Sequence, residues 1–259
     1  MKTLLSTLII FSFTCFQAFG QDVSELQIRD WVMESIEEMP SKGGYELTRR
    51  PPEKLRDAFS WNLNELHIDQ YSAVPSYCTT ATYIIFYKVL EKYWAYTRSQ
   101  PGRAVLEMIK PDIDSDGVRI WGRWNSNGPA TAKLFYETGM GKNFDRIEDA
   151  SPGDFLKLFW NGEIGKNEKG HSVVYLGTER VNGIRMIKFW GSSKDTEGFG
   201  IRLVPMTDAK YLLFSRLINL RNADNIASLP VTDDFLASML SKISNWPQVR
   251  KVTGIQPLW

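Results

Sequence analysis

The sequence predicts an α+β protein in which helices come first and an antiparallel sheet follows. Apolar residues recur at helical spacing or fill a long run in the first half, whereas short apolar runs bounded by Gly, Pro, Asn or Asp dominate after residue 153. Asn182-Gly183 separates two of those runs. Both positions of a two-residue hairpin turn favour positive φ, so the strands on either side pair locally and antiparallel.

The elements follow in order. Residues 1–20 carry Lys2, an apolar stretch from Leu4 to Phe13, and Ala18-Phe19-Gly20, the form of a secretory signal peptide cleaved near Gly20-Gln21. The stretch is short of the ~20 residues a membrane span needs. Cys15 offers lipid attachment as the alternative. No later segment is long and apolar enough to cross a membrane, so the expected location is secreted or periplasmic. Residues 23–39 read as a helix through Leu26, Trp31, Val32 and Ile36, ended by Pro40. Residues 41–60, with Gly43-Gly44 and Pro51-Pro52, read as a loop, so 21–60 forms an N-terminal helical and loop extension. Residues 79–96 form a central helix buried on most sides, and 103–109 a short one. Residues 111–129 are rich in Asp, Gly and Asn and read as loop. Residues 129–138 are helical, with Pro129 in the first turn and Gly139 closing.

Strands are expected at 154–160, 172–180, 184–190 and 201–205, with 211–217 a fifth strand or a helix. Thr232 caps a last helix over 233–243. The main domain is thus 61–220 and the helical tail 221–259. There is no internal repeat.

Composition narrows the function. Removing residues 1–20 leaves 30 basic and 30 acidic residues, which gives no electrostatic footprint for nucleic acid. A hydrophobic fraction of 43% with nine Trp supports a folded core. After signal cleavage the only thiol is Cys78, and the only imidazoles are His67 and His171. One cysteine cannot form an intrachain disulfide, and this set cannot build a Cys/His zinc cage, so no metal and no cofactor are expected. Asp112-Ile113-Asp114-Ser115-Asp116-Gly117 copies the start of a calcium loop. Arg123 stands where its bidentate Glu belongs, so a polar turn is expected.

Cys78 starts the central helix, with Ser76 as its cap. First-turn N–H groups and the helix dipole favour a thiolate there and can donate to an oxyanion. His171 sits between Gly170 and Ser172 where a loop enters a strand. A tight hairpin at Asn182-Gly183 puts His171 opposite Lys194 and Val173 opposite Ser192, with His171, Val173, Ser192 and Trp190 on one face. Ser192 is then the residue that orients His171; a bulge would bring Ser193 or Asp195 forward instead. Gln70 or Tyr71 would complete the oxyanion hole. His67 reads as a surface or capping residue. Tyr77, Trp121, Arg123, Trp124 and Trp190 are the expected substrate wall, because two Trp in a loop need something to cover them.

Three segments resemble the papain-like cell-wall amidases and endopeptidases, the NlpC-like and CHAP-like groups. They are Ser76-Tyr77-Cys78-Thr79-Thr80-Ala81, Ser151-Pro152-Gly153-Asp154-Phe155-Leu156, and Gly170-His171-Ser172-Val173-Val174-Tyr175-Leu176-Gly177. The resemblance spans about residues 71–205. It implies a papain-like fold, a Cys-His-polar triad of Cys78, His171 and Ser192, and hydrolysis of an amide bond in a peptide or peptidoglycan stem by a monomer. Here Tyr77 precedes the cysteine where those families commonly carry Asp or Asn. Transfer of the acyl group to an amine or alcohol, or a silent binding module, are the alternatives.

Overall fold

The computed structural model describes residues 23–256. The signal-peptide segment, Cys15 and the Gly20-Gln21 cleavage position lie outside the described residues. Helix α1 (Glu25–Glu37) begins where the Ser24 hydroxyl accepts from the Gln27 N–H at 3.1 Å, and it buries Ile28, Trp31 and Val32. A two-residue strand β1 (Lys42–Gly43) follows. The stretch expected to be loop then forms α2 (Arg50–Ala58). Pro51 and Pro52 occupy its first turn, where a missing N–H costs nothing, so the prolines start a helix instead of breaking one. A hairpin the alternation did not reveal, β2 (Phe59–Asn62) and β3 (Glu65–Ile68), leads to the long helix α3 (Cys78–Thr97).

Three helices follow, α4 (Arg103–Ile109), α5 (Arg119–Asn125) and α6 (Ala130–Thr138). α5 lies inside the expected 111–129 loop. Gly139 closes α6 at φ 69°, the left-handed conformation glycine tolerates. The strands are β4 (Gly141–Phe144), β5 (Phe155–Phe159), β6 (Ile164–Gly165), β7 (His171–Val181), β8 (Ile184–Ser193), β9 (Gly198–Pro205) and β10 (Tyr211–Leu217). Residues 211–217 are therefore strand. The tail is broken into α7 (Asp234–Ser238), β11 (Ile243–Ser244) and α8 (Trp246–Val252). Asp233, not Thr232, caps α7, its carboxylate accepting from the Leu236 N–H at 2.9 Å.

The result is an α+β architecture around one seven-stranded antiparallel sheet, ordered β1-β9-β8-β7-β5-β10-β4. One face packs against α3. Phe86 stacks on Trp124 at 4.8 Å, and Trp124 meets Phe155 of β5 edge-on at 5.6 Å. The opposite face buries Leu156, Leu158, Val173, Phe189 and Phe214 in a second cluster. A buried side chain of this size contributes about 1.5–3 kcal/mol, so both faces of the sheet are held by packing beneath α3. No helix among the described residues is long and apolar enough to cross a membrane.

Candidate active site

Tyr77, not Ser76, is the residue before the first turn of α3; its backbone N–H donates to the Thr80 hydroxyl at 2.8 Å. Cys78 is thus the first helical residue, and its own N–H has no intrahelical acceptor. The sulfur lies at the His171 end of β7, with the His171 imidazole and the Ser172 backbone N–H beside it. Burial pushes the thiol up. The His171 hydrogen bond and charge, the nearby Lys157 charge and the Ser172 N–H outweigh burial and bring it down from 9.0 to about 7. The structure brings Cys78 and His171, far apart in sequence, next to each other.

The third residue does not join them. The hairpin pairs in tight register near the turn, Val181 with Ile184 and Gly177 with Lys188, but Tyr175 pairs with Phe189. One extra residue, Leu176, shifts the register. An extra residue exchanges the faces beyond it. Val174 and Trp190 consequently share the α3 face, while Val173 packs on the other side with Phe189. Ser192 is fully buried and its hydroxyl bonds that of Ser76 at 2.7 Å. Ser193 bonds Thr196 at 2.9 Å, and Asp195 pairs with Arg202. The buried His171 Nε2 has no hydrogen-bond partner among the described residues, and the ring lies edge-on to Phe189 at 5.8 Å.

The expected oxyanion and substrate residues lie elsewhere. The Gln70 amide donates to the Glu38 carbonyl at 3.3 Å, and Tyr71 is largely exposed beside the same carbonyl, so neither completes an oxyanion hole. Trp121 and Trp124 are buried in α5 because that segment is helix, not loop. Arg123 is buried with them, donating to Asp233 at 2.8 Å, Glu137 at 3.0 Å and the Pro230 carbonyl at 2.8 Å. Trp190 is buried on Phe199, ring centroids 5.8 Å apart. These four are core rather than substrate wall. Tyr77 stays close to the thiol in sequence, and its hydroxyl donates to Asn125 Oδ1 at 2.8 Å. His67 is a surface residue on β3, 3.3 Å from Glu65 and 4.0 Å from Glu91.

Two residues near the sulfur escaped the sequence reading. Tyr45, just past β1, is raised to about 12, first by burial and then by the Cys78 charge, with Arg202 opposing. It lay in an expected loop with no periodic signal. Lys157 had a signal: it is the one charge in Phe155-Leu156-Lys157-Leu158-Phe159. It is buried in register opposite Ser172, and burial lowers its ammonium while the Cys78, Asp116 and Glu168 charges oppose that.

A surface groove of about 1000 Å³ lies away from Cys78. It lies near the far end of α3, roughly 30 Å along the helix, and is lined by His67, Glu91, Trp94, Arg98 and Arg103. Among the described residues no cluster of His, Cys, Asp and Glu is arranged to hold a metal ion. No family model, curated protein or solved structure matches the chain.

Proposed function

We propose that the chain is an exported cysteine hydrolase of papain-like architecture that cleaves an amide bond in a peptide, with peptidoglycan stem peptides as the first substrates to test. The observation that carries this reading is the meeting of the Cys78 thiol, at the first residue of α3, with the His171 imidazole, at the first residue of β7. The Cys78 thiolate attacks the carbonyl carbon, and its backbone N–H stabilises the oxyanion. The C–N bond then breaks and His171 passes its proton to the leaving amine. Water, deprotonated by His171, hydrolyses the thioester. Among the described residues His171 Nε2 has no hydrogen-bond partner, and the imidazole packs on Phe189.

The test combines turnover with alkylation. Cys78→Ala abolishes cleavage of peptidoglycan peptides or generic amides; unchanged turnover rejects the mechanism. The iodoacetamide rate follows the thiolate, so it rises through pH about 7 rather than 9.0. In His171→Ala the burial effect faces less opposition, and the midpoint moves up by about one pH unit or more. A silent binding module predicts the rate and midpoint of a free thiol in both proteins.

A further inference from the structure

We infer that Lys157 and Ser172 form a carboxylate subsite beside Cys78, so that the acyl donor carries a negative charge close to the bond that breaks. This rests on the hydrolase reading above and names the class of substrate for the same site.

The subsite is built into the sheet. All five residues of β5 are buried, and Lys157 is 6% exposed. Its stem passes over Gly170 at φ 75°, where an added Cβ would stand 2.6 Å from Lys157 Cε and 2.8 Å from the Phe159 ring. Only glycine leaves that room. Ser172 faces Lys157 across the β5–β7 ladder, is 4% exposed, and its hydroxyl has no hydrogen-bond partner among the described residues. Both line a narrow cavity of about 10 Å³, shared with Thr82 and Ser215. Such a space admits one oxygen-sized group.

Charge bookkeeping selects the occupant. A buried ammonium costs several kcal/mol unless compensated. The charges that favour the Lys157 cation are Cys78, then Asp116 and Glu168, all acting through space. Glu168 is already spent on the N–H groups of Trp160, Asn161 and Gly170 at 3.0, 3.1 and 2.9 Å. Asp116 is itself raised by burial, with the Lys157 charge and then the Asn127 N–H opposing. When the sulfur becomes a neutral thioester, the first of these charges disappears. A carboxylate on the acyl group restores it, accepting from Lys157 Nζ and the Ser172 hydroxyl; a neutral acyl group does not.

Iodoacetate and iodoacetamide test this, because both form the same Sγ–C bond and expel iodide but only one carries a carboxylate. The expected rate ratio of iodoacetate to iodoacetamide is about tenfold above that of glutathione at the same thiolate fraction. It falls to the glutathione ratio in Lys157→Met and drops partway in Ser172→Ala. A wild-type ratio equal to that of glutathione overturns the subsite. So does a raised ratio that survives Lys157→Met, since His171 would then be the cation. Should Lys157→Met not fold, acetate decides with the wild-type protein: it slows iodoacetamide at constant ionic strength where chloride does not, and equal effects overturn the proposal. If Cys78 titrates like an ordinary thiol, the hydrolase reading itself falls. If it titrates near 7 with a flat ratio, only the subsite does.

Discussion

Ser192 shows how a hydroxyl chosen for chemistry can belong to architecture. It is buried on the α3 face and spends its hydrogen bond on Ser76, two residues before Cys78. That pair fastens the chain entering α3 to β8, so it sets where the helix starts and therefore where the sulfur sits. Ser192→Ala leaves the Ser76 hydroxyl buried and unpaired, which costs about 1–3 kcal/mol. Removing both hydroxyls in Ser76→Ala/Ser192→Ala recovers much of that loss, because no orphaned group remains. Urea denaturation of the two singles and the double measures the coupling; strictly additive losses would sink the assignment. The Cys78 alkylation midpoint stays near 7 in Ser192→Ala, whereas an orienter of His171 would move it.

The same separation of architecture from chemistry holds for whole elements. Asp154, in the Pro-Gly-Asp turn before β5, accepts from Arg216 Nε and Nη2 at 2.7 Å each and from the Ser151 N–H at 2.8 Å. This fork clamps the start of β5 to β10, and so fixes the register that carries Lys157. Asp154 is fully buried, so Asp154→Asn leaves Arg216 poorly paired and costs about 3 kcal/mol, read from the denaturation midpoint; a loss under ~0.5 kcal/mol would contradict the clamp. The turn, β5, β7 and β8 were legible because alternation and Asn182-Gly183 are local signals. The Leu176 register shift was not, since an extra residue leaves the apolar run of β7 unbroken. It is visible only in pairing, and it sends the Ser192 assignment to the wrong partner. α5 was hidden for another reason: seven residues following Asp and Gly give too short a period to separate a buried helix from an aromatic loop. Cys78 meets His171 between α3 and β7, and that contact does not run through the β7–β8 register.

At the scale of the molecule, the segment before residue 46 decides whether the fold is a core with an appendage or a single cooperative body. α1 places Ile28, Trp31 and Val32 in the same core as Ile84, Phe86 and Trp124. At about 1.5–3 kcal/mol each, those three side chains alone approach the ~5–15 kcal/mol by which a domain is stable. Glu38, just past α1, pairs with Lys88 at 2.7 Å and Lys92 at 2.6 Å, and Lys88 is nearly buried on α3. β1 pairs with β9, covering one end of the sheet order, and Tyr45 stands beside the thiol. Removing residues 23–45 therefore uncovers core, strands a buried ammonium and opens a sheet edge at once. The expected outcome is a chain with no cooperative thermal transition and a Cys78 that alkylates as a free thiol. A removable inhibitory segment predicts the reverse: a truncated protein that melts cooperatively and turns over substrate faster. The two outcomes differ in sign on both measurements, because burial that builds the site cannot also be burial that blocks it.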